Sequence, residues 1–100
     1  MPGGPDIALD TLLRTSSRAV STLVPGETVI LDPASGKYFG LDGVGSRAWA
    51  MLQDTTSIAA IVETVTREYD VEIDVCRRDV ELLVHDLLAR GLVTIHEPAH

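Results

Sequence analysis

Residues 29–52 read VILDPASGKYFGLDGVGSRAWAML. Thr28 to Leu31 is a β-branched, apolar run of strand type. Asp32-Pro33-Ala34-Ser35-Gly36 follows, where Pro presets φ and Gly permits the positive φ that a reversal needs. Lys37 to Leu41 then returns as a second short strand, so the stretch predicts a hairpin with a five-residue loop. Asp42 stands where its carboxylate can cap a helix. Val44, Ala48, Met51 and Leu52 come next at i, i+4, i+7 and i+8, a single apolar stripe. Trp49, the only tryptophan, lies beside that stripe and is expected to pack under the sheet, the alternative being part of a pocket wall.

On the N-terminal side, Arg18 to Val24 is rich in apolar and β-branched residues and ends at the turn dipeptide Pro25-Gly26. Three strands therefore form an antiparallel meander whose third member, Lys37 to Leu41, lies at an edge. An edge strand leaves backbone N–H and C=O groups able to accept another chain. Residues 1–6 are rich in Pro and Gly and are expected to be disordered. Ile7 to Leu13 is mildly apolar and fits no single element.

On the C-terminal side, Ser57 is an N-cap for a second helix whose buried face is Ile58, Ile61, Val62, Val65 and Tyr69. Asp70 to Ile73 breaks the pattern, and Asp74 is expected to cap a third helix that ends where Gly91 can take a left-handed conformation. Leu92-Val93-Thr94 reads either as a short terminal strand or as irregular packing. The fold class is α+β, winged-helix-like: strands at 18–24, 28–31 and 37–41, helices at 43–53, 58–69 and 74–90. The expected organisation is a flexible segment 1–17, a domain 18–95 and a tail 96–100.

The third helix carries two apolar faces. Val80, Leu83, Val84, Leu87 and Leu88 form the main stripe. At about 100° per residue, Val75, Leu82 and Ala89 fall roughly opposite, bordered by Asp79 and Asp86. A second apolar row suits a helix that also lines a groove, or one that packs this face on the sheet.

The hundred residues form one small domain. Residues 1–50 carry four bases against five acids and residues 51–100 four bases against ten, for a net charge of −7. That balance repels a phosphate backbone and disfavours nucleic acid as a partner. Cys76 is the only cysteine, so neither an internal disulfide nor a thiolate metal site is available. No apolar run approaches the roughly 20 residues that span a bilayer, and the N-terminus lacks the n- and h-regions of a signal peptide. A cytoplasmic location is expected.

Catalytic patterns are missing. No Ser-His-Asp arrangement has an elbow motif, and no H-E-x-x-H occurs. His96, Glu97 and His100 sit together in a polar tail, a poor metal site. Gly36, Gly40, Gly43 and Gly45 do not space as a phosphate loop. Gly40 inside a strand instead marks close approach of another backbone or helix. No enzyme activity, cofactor or metal is expected.

LDPASGKYFGLDGVGSRAWAML (31–52), followed by SIAAIVETVTREYDVEIDVCRRDVELLVHDLLARGLV (57–93), resembles the PqqD-like family of peptide recognition elements of ribosomally made peptide pathways. The matching features are Leu31-Asp32, Gly36, Tyr38, Leu41, Gly45, Trp49, Leu52, Tyr69-Asp70-Val71, Asp79 and Gly91-Leu92-Val93. They cover residues 18–94, and their order is more specific than any one of them. The wording is most similar to the stand-alone recognition proteins of lasso peptide biosynthesis.

The resemblance implies a non-catalytic protein that binds a precursor's leader peptide as an antiparallel strand added to the third strand. It implies delivery to a transglutaminase-like leader peptidase and an asparagine-synthetase-like macrolactam cyclase. Carried over by position, Lys37, Tyr38, Phe39, Gly40, Leu41 and Asp42 supply the pairing edge. Val75, Arg78, Asp79, Leu82, His85 and Asp86 supply the groove wall. Alternatives are a winged-helix DNA-binding regulator, a chaperone for a radical peptide-modifying enzyme, and an edge-strand homodimer.

Overall fold

The computed structural model describes residues 7–25 and 27–96. The expectations for residues 1–6, for Gly26 of the first turn and for Glu97 and His100 of the tail lie outside the described residues. The elements run β1 (Leu13–Thr15), β2 (Val20–Val24), β3 (Glu27–Asp32), β4 (Lys37–Asp42), α1 (Gly43–Leu52), α2 (Ile58–Glu68), α3 (Ile73–Ala89) and β5 (Val93–Ile95). This is the expected α+β order, with three antiparallel strands in the order β2-β3-β4 followed by three helices.

The hairpin β3–β4 closes as its residues dictate. The Asp32 carboxylate accepts from the Ala34 N–H at 3.0 Å and from the Ser35 hydroxyl at 3.0 Å. Gly36, at φ 70°, donates its N–H to the Asp32 carbonyl at 2.8 Å. A residue with a Cβ would be strained there. The register pairs Ile30 with Phe39 and Thr28 with Leu41. Ile30 and Thr28 are buried, so Phe39 and Leu41 share the core-facing side of the sheet. Tyr38, Gly40 and Asp42 alternate onto the outer side, and Tyr38 is 70% exposed.

Beneath the sheet lies one core. Trp49 is 3% exposed, and its indole N–H donates to the Ser21 hydroxyl at 3.1 Å, tying α1 to β2. The packing expected for Trp49 is the one observed. Ile58, Ile61 and Val65 of α2 meet Cys76, Val80, Val84 and Leu87 of α3 in the same cluster. The Ser57 hydroxyl caps α2 by accepting from the Ala60 N–H at 3.2 Å. Arg47, midway along α1, meets Glu68 at the end of α2 at 2.8 Å. That contact raises the arginine's pKa and lowers the carboxyl's, chiefly through the hydrogen bond itself.

Two capping expectations are corrected. Asp42 occupies the N-cap of α1, but its side chain makes no cap hydrogen bond. Strand β4 runs to Asp42 itself, so the carboxylate follows the alternation onto the outer side opposite Glu27. In α3 the N-cap is Glu72, not Asp74, again without a side-chain bond. Asp74 lies in the first turn, where its charge still suits the positive end of the helix. Gly91 takes φ 72° after α3, as its position predicts.

A second, two-stranded sheet is an addition to the expected fold. β1 pairs antiparallel with β5, Leu13 opposite Ile95 and Thr15 opposite Val93. Leu13 also exchanges backbone hydrogen bonds with Thr56, at 2.7 and 2.9 Å. β1 lies within the segment 1–17 that was set outside the domain, and Leu13 is wholly buried. Of Leu92-Val93-Thr94, Val93 and Thr94 open β5 and Leu92 precedes it. Among the described residues, no helix is long and apolar enough to cross a membrane.

Candidate peptide-binding cleft

β4 is an edge strand: β3 covers one side, and nothing among the described residues pairs with the other. In an antiparallel ladder alternate residues bond to the neighbour, so about three of its six residues direct backbone groups outward. Those groups lie beside α3, across an open cleft of about 400 Å³. Leu41, Val80 and Leu83 give the cleft an apolar floor, Asp42 and Gly45 one lip, and Asp79 the other.

The direction of β4 against α3 follows from two contacts. Leu41 shares the cleft with Asp79, early in α3. Two residues earlier, the Phe39 ring lies under the Arg90 guanidinium, 4.2 Å from the ring centroid, at the helix's far end. Arg90 is braced by its own helix, donating from Nε to the Asp86 carboxylate at 3.1 Å. β4 and α3 therefore run in opposite directions. Arg90 roofs the Phe39 end, while the Leu41 end stays open.

The six edge residues, Lys37 to Asp42, occupy one strand, which runs one residue beyond the expected end at Leu41. The α3 residues separate. At about 100° per residue, Asp79, Leu83, Asp86 and Arg90 fall within about 60° of one another and face β4. Val75 (51% exposed) and Leu82 (64% exposed) stand about 20° and 40° beyond the Asp86 edge of that row. Arg78 and His85 lie beyond them and line, with Leu82, a second depression of about 420 Å³ on the outward side of α3. Leu83, Val80 and Arg90 were not among the sequence candidates. Leu83 and Val80 had been assigned wholly to the core stripe, and the signal that could have found them is the adjacency of Leu83 to Asp79 on one face.

Gly40 also differs from its expectation. A Cβ there would meet the Glu27 carboxylate, 3.4 Å from Oε2, rather than a backbone or helix. Glu27 thus reaches across β4 on the outer side.

Among the described residues, no group of three His, Cys, Asp or Glu is placed to hold a metal ion. Cys76 is buried at 2%, and burial, with the nearby Asp79 charge, pushes its thiol pKa up. Iodoacetamide at pH 8 should label it about tenfold or more slowly in the folded protein than in urea, because thiolate is the reactive form. The bases of α3 are largely engaged: Arg77 lies between Asp74 (3.9 Å) and Glu81 (3.6 Å), and Arg90 is on Asp86. This is a poor surface for phosphates.

The family model described as "Coenzyme PQQ synthesis protein D (PqqD)" matches residues 27–93. Two solved structures are similar along most of the chain. "TbiB1 in Complex with the TbiA(beta) Leader Peptide" is 32% identical, with TM-score 0.74, and covers 85% of this chain and 99% of that one. "Lasso peptide synthetase B1 complexed with the leader peptide" is 28% identical, with TM-score 0.71, and covers 82% and 96% respectively. No curated protein sequence matched.

Proposed function

The chain belongs to the PqqD family, and on that footing we propose that it captures the leader segment of a ribosomally made precursor peptide. The leader adds to β4 as an antiparallel strand and sets apolar side chains into the cleft against α3. The bound precursor is then handed to a leader peptidase and a macrolactam-forming cyclase of a lasso peptide pathway. The observation that carries this reading is an unpaired strand edge alongside an apolar-floored cleft. Two structurally similar proteins whose structures hold leader peptides support it.

The energetics require both parts. Each backbone hydrogen bond contributes about 0.5–1.5 kcal/mol net. Ordering a free peptide costs about 2–5 kcal/mol. Strand pairing alone therefore yields weak binding, and apolar anchors must add roughly 25 cal/mol per Å² buried. Pairing accepts any extended chain; the cleft selects among them. Lys37 to Asp42 act mainly through backbone, while Leu41, Asp79 and Leu83 receive side chains. Val75 and Leu82 extend the apolar rim, with Arg78, His85 and Asp86 as its polar border.

The test is calorimetric titration of the full chain with the TbiA(beta) leader peptide, combined with amide hydrogen exchange. Saturable binding that slows exchange within 37–42 is expected. Binding without protection there would remove strand addition; absence of binding would remove the reading. Leu82→Asp should weaken the complex about threefold to tenfold without unfolding the chain, because it places a charge at the apolar rim on a side chain that is 64% exposed. An unchanged dissociation constant would take Leu82 out of the site.

A further inference from the structure

The two ends of the free β4 edge carry different charge. At the open end, Glu27 and Asp42 are directly opposed across β3 and β4. The Glu27 carboxylate leans over Gly40 toward the free edge, and Asp79 stands on the facing wall. Among the described residues none of these three carboxylates meets a base within 4.0 Å. Like charges directly opposed across strands are unfavourable, so this end gains from an incoming cation. At the other end Arg90 lies on the Phe39 ring, with only its Nε committed, to Asp86. Lys37, which begins β4 on the same side as Phe39, stands opposite Asp32, whose carboxylate is held by the Ala34 N–H and the Ser35 hydroxyl, and it makes no ion pair within 4.0 Å among the described residues.

We propose that this polarity fixes the order of charge in the bound peptide: a basic residue first, an acidic residue about three to five positions later. The inference rests on the peptide reading above and adds to it the substrate's charge pattern. A strand added antiparallel to β4 meets Asp42 with its N-terminal part and Phe39 and Lys37 with its C-terminal part. The residue opposite Asp42 therefore precedes those opposite Phe39 and Lys37 by three and five positions. A base opposite Asp42 reaches Glu27 and Asp42 on the outer side; because side chains alternate, it is the next residue, opposite Leu41, that faces Asp79 in the cleft. An acid further on meets the outward N–H groups of Arg90 or the Lys37 ammonium. Complementary charge of this kind sets register and speeds association more than it adds affinity. A peptide threaded in the wrong register or direction would bring like charges together at both ends.

The experiment is selection of a displayed library of random 12-residue peptides on the full chain at low ionic strength. Selected sequences should be enriched in Lys or Arg ahead of the apolar anchors and in Asp or Glu three to five residues later. A base-first peptide so obtained should bind Asp79→Lys about fivefold more weakly at low salt. That difference should shrink as the Debye length falls below about 10 Å above 0.1 M salt. Asp79→Asn, which keeps shape and removes charge, should lie between. Binders that protect β4 amides but carry no charge order would overturn the polarity and leave the peptide reading standing. Failure to recover any peptide that protects β4 would overturn both.

Discussion

Leu83→Ala is expected to weaken leader binding about tenfold while leaving the fold in place. Leu83 is half-buried and lines the floor of the cleft between β4 and α3. Truncation to Ala removes three side-chain carbons from the surface that a leader anchor would cover. At about 25 cal/mol per Å², the loss of roughly 60 Å² of apolar contact is about 1.5 kcal/mol, close to the 1.4 kcal/mol that is a factor of ten. Ala is the best helix former, so α3 keeps its geometry. Titration read beside a thermal melt separates binding from stability. The comparison with Leu82→Asp is the informative one. Leu82 is 64% exposed and stands off the row that faces β4. If Leu82→Asp costs more affinity than Leu83→Ala, the peptide's anchors lie on the outward side of α3, in the depression that Arg78 and His85 line.

Trp49→Ala carries the largest expected loss of stability. The ring is 3% exposed and its N–H is bonded to Ser21 at 3.1 Å, so one side chain joins α1 to the sheet. Removing a buried aromatic costs about 3–5 kcal/mol, from a total of about 5–15 kcal/mol for a domain of this kind. Each kcal/mol corresponds to roughly 4–8 °C in a chain of this length, so the melting temperature should fall by about 15 °C or more. Trp49→Phe keeps most of the packing and loses one hydrogen bond, about 1 kcal/mol. Circular dichroism melts of both variants check the pair. A small shift for Trp49→Ala would mean that the sheet does not depend on α1 for its floor.

The difference between Leu82 and Leu83 shows what could be read from the residues. The 3.6-residue period of α3 separates an apolar stripe from a second apolar row, and both are present. The period does not say where the sheet stands. A groove wall opposite the core stripe assumes a sheet across the helix. The sheet lies beside it, so the cleft is bordered by Asp79 and by Val80 and Leu83 of the core stripe itself, with Arg90 over Phe39. Strand β1 eluded the sequence for a related reason. Leu13-Arg14-Thr15 is too short to show alternation, and what makes it a strand is β5, about 80 residues later, with Thr56 on its flank.

The sequence by itself determined the features that depend on near neighbours. These are the Asp32-to-Gly36 reversal, the hairpin it closes, the Ser57 cap, the period of each helix, the left-handed Gly91 and the edge position of Lys37 to Asp42. In each, turn chemistry, capping or side-chain alternation acts over a few residues and leaves a local signature. Tertiary structure alone decided which side of α3 meets β4, that Arg90 roofs Phe39, that Glu27 leans over Gly40, and that β1 pairs with β5. Those outcomes depend on how the sheet and helices dock. Docking is set by the fit of the whole core around Trp49, Ile30 and Val84, a property of no single segment.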